Sequence, residues 1–231
     1  MVSLSTWKRI QAASGLTFGV FLILHFASHA SLILGWDVGQ QSLQNARRIY
    51  QNPVIEVTLL LAVLTHMVSN SAVFLMRQDV IPKKDGGKAP VAGAAELSRH
   101  QFAGYFLVVL LLGHVVSTRI SSLMYLDDPS QFDYTIITIM SDLVPFKLYT
   151  LKLMFFGMAA SWHLIYGTWS AVATLRGRAV AGKPFPFLLK LVAMIANIGV
   201  MLSVLSVGGA FYSINRDAKM DVFEKVQVIT A

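Results

Sequence analysis

Five stretches of about 20 or more mostly apolar residues dominate this chain. Each is long enough to cross the ~30 Å hydrocarbon core of a bilayer as an α-helix. They run about 14–35, 54–76, 101–124, 147–174 and 187–212. The second and fourth follow Pro53 and Pro145, residues suited to a helix start. In lipid the backbone must satisfy its own hydrogen bonds, and for apolar segments of this length the helix does so. The expected architecture is an all-α membrane protein, one integral domain over residues 1–231 with a polar tail at 215–231. Composition agrees. Hydrophobic residues make up 55% and charged residues 13%, with a mean hydropathy of +0.60. An ordinary soluble domain is about 25% charged. The first stretch is too long for a cleaved signal peptide and carries two histidines, so it reads as a retained span.

The loops divide by charge. The side of the N-terminus, side A, carries eleven of the 19 Lys and Arg residues and three of the 12 acids, Asp79, Asp85 and Glu96. Side B is close to balanced. By the positive-inside rule side A faces the cytoplasm or a matrix-like compartment. A net charge of +7 on so apolar a chain therefore reads as orientation charge and not as a nucleic-acid patch. Residues 79–95 have the Gly, Pro and Lys content of a solvated connector. Residues 126–145 carry four aspartates on side B, with amphiphilic stretches suited to the membrane surface. The tail is expected to be loosely ordered. No internal repeat is visible along the sequence.

The histidines carry the chemical signal. There are six. His100, beside Arg99, reads as an interfacial residue. The other five fall inside the first four stretches: His25 and His29, His66, His114, and His163. The fifth stretch has none. An ionisable side chain in hydrocarbon is costly and points to function. Paired neutral imidazoles facing each other across a helix bundle are a natural ligand set for two b-type haems.

Depth from side A follows from a rise of about 1.5 Å per residue. His66 and His163 lie about 15–17 Å in, His114 about 20 Å, His25 about 16 Å and His29 about 22 Å. His66 then pairs with His163, and His114 with a histidine of the first stretch, for which depth prefers His29. Small or polar residues flank these positions: Ala159, Ala160 and Gly167 near His163, Ser69 and Asn70 after His66, Ser117 and Thr118 after His114.

Other chemistries lack their residues. With no cysteine the chain has no disulfide, no iron–sulfur ligand and no c-type haem attachment. It has no HExxH, no G-x-S-x-G and no phosphate loop with a lysine. No catalytic residue is assigned.

Four blocks resemble those of a known family. They are GVFLILH ending at His25, EVTLLLAVLTHMV around His66, GYFLVVLLLGHVVSTRI from Gly104 through His114 to Ile120, and WHLIYGTWS around His163. Their order, and the fifth stretch without histidine, also match. Over residues 8–212 the chain resembles the single-subunit di-haem cytochrome b anchors of bacterial succinate dehydrogenases and fumarate reductases. The resemblance implies four spans in a haem-binding bundle, with a fifth packed outside. It implies two haem b, one held by His25 and His114 and the other by His66 and His163. The block favours His25, with His29 one turn on as its competitor. It further implies a quinone as redox substrate and flavoprotein and iron–sulfur subunits docked on side A. In that reading the chain is the membrane anchor and quinone-linked electron-transfer subunit, in a bacterial inner membrane or a mitochondrial membrane.

Arg119 and Glu56 are the candidate quinone contacts. Arg119 alternatively pairs with a haem propionate or a lipid phosphate, and Glu56 alternatively is an interfacial acid at a helix N-terminus. The runs RRIYQNPVIE (Arg47–Glu56) and ELSRHQFAGYF resemble a second branch. That branch comprises stand-alone mitochondrial outer-membrane proteins of lipid homeostasis that recruit a lipid-transfer protein. For it, KPFPF (Lys183–Phe187) reads either as a recruitment motif or as a tight connector fixed by proline.

Overall fold

The computed structural model describes residues 2–78, 94–178 and 183–227. These form helices, with no strand among the described residues. Four helical stretches are long and apolar enough to cross a membrane: Leu4–Leu34, Pro53–Met76, Leu97–Tyr125 and Phe187–Val207. In finer detail α1 spans Leu4–Ala30 and passes into a 3₁₀ turn at Ser31–Leu34. An unpredicted helix, α2, covers Trp36–Tyr50. Next come α3 at Pro53–Gln78 and α4 at Ala94–Val115. A π-helical turn at Val116–Ile120 joins α4 to α5 at Ser121–Tyr125. Then follow α6 (Tyr134–Leu143), α7 (Leu148–Leu175), α8 (Phe187–Val207) and α9 (Met220–Gln227).

The boundaries move where hydropathy misplaces them. The side A ends of α1 and α4 begin at Leu4 and Ala94, ten and seven residues before the apolar stretches do. Ser3 caps α1 by accepting from the Thr6 amide. Polar first turns such as LSTWKRIQ continue a helix into the interface without changing its mean apolarity enough to be read. Of the expected connector at 79–95, Ala94 and Ala95 belong to α4 and the remainder lies outside the described residues.

α7 is as long as the four, with 28 residues, but it carries Lys152, His163, two tryptophans and several hydroxyls. It packs against α1, α4 and α8. A helix with protein on three sides tolerates polar groups that a lipid-facing one does not. α1 packs on α3 as well as α7, and α8 sits mainly on α7.

The bundle is apolar outside and polar inside. Val20, Ile23, Leu61, Val109, Leu112 and Leu188 all point outward. The bundle's buried positions include Ser14, Ser28, Ser69, Ser161, Ser203 and Ser206, with Ala12, Ala62, Ala103, Ala160 and Ala193, beside a few larger side chains such as Val73 and Tyr166. Small residues let helices approach closely where no hydrophobic force drives them together. The serine hydroxyls donate to carbonyls of their own helix: Ser14 to Ile10 at 2.7 Å, Ser69 to Thr65 at 2.6 Å, Ser203 to Gly199 at 2.7 Å. Such back-bonding satisfies the hydroxyl without a partner on another helix.

A second, oil-like core lies on side B. Leu126, Phe132, Ile136, Ile139, Val222, Phe223 and Val226 bury one another, so α6 and α9 pack together with the α5–α6 connection. Leu32, Leu43, Tyr134 and Val207 tie this layer to the ends of α1 and α8 and to α2. The tail is thus ordered through Gln227, contrary to its polar average. Val222, Phe223 and Val226 share one face of α9, a signal that eight residues carry only faintly. Polar bonds add to this cap. Tyr134 donates its hydroxyl to Ser28 O at 3.2 Å, and Tyr212 to Leu32 O at 2.6 Å.

Asp142 closes the cap, accepting from Lys147 Nζ and Arg216 Nε. Lys147 reaches it from a left-handed backbone with φ 55°. That conformation costs a non-glycine residue about 1–2 kcal/mol. Burial opposes the Asp142 charge. The two cations outweigh this and hold the carboxyl below the usual range. A lowered folded-state pKa stabilises above the unfolded value and is lost as pH falls through the folded one. We therefore expect the amides of α9 to keep their protection from hydrogen exchange down to about pH 4 and to lose it below. Asp142→Asn should show the loosened α9 already at neutral pH.

Candidate functional site

Four histidine rings meet in two facing pairs inside the bundle. The ring centres of His66 (α3) and His163 (α7) lie 6.2 Å apart with planes at 90°. Those of His25 (α1) and His114 (α4) also lie 6.2 Å apart, at 70°. Each pair therefore joins two different helices, and the two pairs draw on α1, α3, α4 and α7.

The pairs are seated by one repeated local pattern. In α1, the Gln11 carbonyl lies 3.0 Å from His66 Nδ1, and Gly15 faces the His66 ring. In α4, the His100 carbonyl lies 3.2 Å from His163 Nδ1, and Gly104 faces the His163 ring. A Cβ on Gly15 would meet His66 Nδ1 and Cε1 at 2.9 Å, and one on Gly104 would meet His163 Cε1 at 3.0 Å. Ten residues beyond each glycine stand His25 and His114. That is about 15 Å of helix in both cases. So α1 and α4 each give a carbonyl and a glycine seat to one pair and a histidine to the other.

This common offset sets the pairing. His25 and His114 are equally far from their seats, so they meet. His29 is one turn beyond, its ring 4.4 Å from that of His25 and 5.2 Å from that of Tyr134. Depth counted from the apolar boundaries prefers His29 because both helices start nearer side A than those boundaries, α1 at Leu4 and α4 at Ala94.

The hydrogen bonds also fix tautomers. A carbonyl only accepts, so His66 and His163 each carry the proton on Nδ1 and a lone pair on Nε2. His25 and His114 each leave a buried Nδ1 without a hydrogen-bond partner. Phe21 lies beside His25 at 5.3 Å and Phe156 beside His114 at 5.1 Å. Two metal–nitrogen bonds of about 2 Å each place the centres of the two bonded rings roughly 6 Å apart. Both observed spacings fit one metal ion between two imidazoles. Among the described residues no group of three or more His, Cys, Asp or Glu gathers in the manner of a bare metal site.

Arg119 and Glu56 find each other. Arg119 Nε lies 2.5 Å from Glu56 Oε1, and Nη2 lies 2.7 Å from Oε2. This is a two-pronged ion pair between α3 and the π turn. The turn adds a residue to the helix after His114 and so re-aims Arg119. Ser117 and Thr118 donate to the His114 carbonyl at 3.2 and 2.7 Å, which stabilises the same irregular stretch. Two further side B cations are Arg47, whose guanidinium donates to Phe132 O, and Lys152, whose Nζ lies 5.2 Å over the Tyr149 ring.

Two residues depart from the sequence reading. His100 is no plain interfacial residue: its ring stacks on that of His163, with centres 4.1 Å apart and planes at 14°. In KPFPF, Phe185 is only 3% exposed and packs against Trp162, Tyr166 and Trp169. Phe187 of the same segment is exposed. Gln11 and Gly15 carry no assignment in the sequence alone, and Gly104 enters there only as the first residue of a block. A glycine ten residues before a histidine occurs three times, at Gly15–His25, Gly19–His29 and Gly104–His114, so the spacing by itself does not single out the two seats.

No protein-family model matches this chain, and no curated protein or solved structure matches it either.

The glycine seats make a direct prediction. Gly15→Ala and Gly104→Ala should each destabilise the protein by about 1–3 kcal/mol, the usual cost of overpacking. At Gly199 an added Cβ meets nothing within 4 Å. Gly199→Ala should instead stabilise by up to about 1 kcal/mol. Thermal denaturation in detergent reads the opposite signs.

Proposed function

We propose that this chain is a membrane-embedded b-type cytochrome holding two haems, one between His66 and His163 and one between His25 and His114. It acts as the anchor and quinone-linked electron-transfer subunit of a succinate dehydrogenase or fumarate reductase-like complex. The observation that carries this reading is the spacing of both ring pairs at 6.2 Å, each joining two helices. The hydrogen bonds from His66 and His163 to backbone carbonyls support it. They orient the rings, leave Nε2 free to bind and raise its basicity.

In this reading α7 is the fifth span. The N-terminus lies on the basic side A, and α8, which supplies no histidine, packs outside the four. Haem b, when bound, supplies a reversible one-electron centre. The chain's residues do the rest. The outward apolar side chains keep the bundle in lipid, while the small inner residues bring the helices close. Arg47, Arg119 and Lys152 offer positive charge for propionates near the side B pair.

Arg119 and Glu56 remain the quinone candidates. Their ion pair engages Nε and Nη2. Nη1 still has donors for a carbonyl oxygen of a quinone or a propionate. Succinate or fumarate chemistry belongs to flavoprotein and iron–sulfur partners on side A, since this chain has no cysteine. The stand-alone branch shares the haem core. It would need a recruitment site other than Phe185, which is buried.

The test is haem per polypeptide by pyridine haemochrome on the detergent-purified chain, with the reduced-minus-oxidised spectrum. We expect about two b-type haems. His66→Ala and His163→Ala should each lose one haem and keep the other, and His114→Ala should lose the second. His25→Ala should behave as His114→Ala, and His29→Ala should keep both. A folded chain without haem, expressed with ample haem supply, refutes the cytochrome. A haem-loaded chain that binds no dehydrogenase subunits on side A leaves the stand-alone reading.

A further inference from the structure

Equivalent positions in the two seats differ in one respect. Gln11 precedes Gly15 by four residues, and His100 precedes Gly104 by four. Both lend their carbonyl to a histidine of the neighbouring helix. The Gln11 side chain turns away and donates to Asn70 Oδ1 at 2.9 Å, four residues after His66. His100 faces Gly167, four residues after His163, where no side chain answers it. Its ring instead lies flat along that of His163, and Tyr166 packs beside it at 4.7 Å. A Cβ on Gly167 would stand 3.3 Å from His100 Cε1, so the glycine makes the space that the ring fills. His100 Nδ1 is buried without a hydrogen-bond partner, so packing holds that edge of the ring.

We infer that His100 is a positioning residue for His163, its ring acting as a wall that fixes the His163 plane perpendicular to that of His66. This rests on the haem reading above. The covalent tether at Cγ and the single Nδ1–H···O bond still let an imidazole tilt about its χ2 torsion. A flat ring with its centre 4.1 Å away blocks that tilt, and offset stacking adds to the hold. The orientation of an axial imidazole governs the ligand field of a haem iron, and second-shell contacts of this kind tune metal sites. His66 has Gln11 in the equivalent place, and the side B pair lies about 15 Å further along α1 and α4. Substitutions at the wall should therefore move one haem and not the other.

The experiment compares low-spin EPR signals and midpoint potentials in the full-length chain, purified with haem. The unsubstituted chain should give two low-spin signals, of which His163→Ala removes one. His100→Ala should shift that same signal and the midpoint potential of that haem, and leave the other in place. His100→Phe, which keeps a flat ring, should restore the original signal. Gly167→Ala, which pushes on the His100 ring without touching position 100, should shift the same signal even if His100→Ala does not fold. Haem-loaded His100→Ala with both signals unmoved overturns the inference and leaves the cytochrome intact. So does His100→Phe that shifts the signal as far as His100→Ala. A His163→Ala chain that keeps both haems makes His100 a ligand and ends the positioning role. No haem in the unsubstituted chain overturns the cytochrome reading and this inference with it.

Discussion

Holding polar rings inside a bundle whose outer surface is apolar is the constraint on which this structure turns. A buried imidazole taken away from water is costly unless its nitrogens find partners. Two of the four paired histidines are satisfied by backbone carbonyls of a neighbouring helix, Gln11 for His66 and His100 for His163. Those carbonyls already take part in their own helices, and a carbonyl oxygen with two lone pairs can accept twice. The cost falls on side-chain volume, which is why glycines stand one turn further on. Helix contacts in lipid favour small residues in any case. Here the same feature makes room for a ring.

From this follows the near-symmetry of the bundle. α1 and α4 play one part, each with a carbonyl, a glycine four residues on and a histidine ten beyond that. α3 and α7 play the other, each presenting a ring to that seat. The two halves differ at the ends. The α4 half continues into a π turn that sends Arg119 to Glu56, and its seat carries His100 where the other carries Gln11. Irregular turns of this kind gather at working sites.

The cap on side B obeys different physics. Its core is built of Phe, Ile, Leu and Val, as in a water-soluble domain. Its cohesion comes from removing apolar surface from water. It covers the end of the bundle where His25, His29 and His114 lie, and Tyr134 belongs to both layers. That tyrosine touches the His29 ring and donates to the carbonyl of Ser28. The Asp142 ion pairs then hold the entry to α7 and the tail together. Two cores of opposite composition thus meet within one chain, which an average over the sequence does not show.

The long helices and the four central histidines were legible in the residues. Hydrocarbon permits few backbone structures, and it penalises stray imidazoles enough to make each one conspicuous. The helix starts were not legible, because polar first turns extend α1 and α4 without an apolar signature. That misplacement alone turned the depth comparison toward His29. α9 was hidden because one apolar face of eight residues vanishes into a polar tail. The ring pairs, the glycine seats, the Arg119–Glu56 bridge and the stacking of His100 on His163 belong to the tertiary structure. Each joins residues far apart in the chain and depends on how two helices rotate and slide against each other. The sequence by itself determined that helices would form and that imidazoles would lie within them. Only packing decided which ring faces which, because helix register is set by the fit of side chains on both helices and not by either one alone.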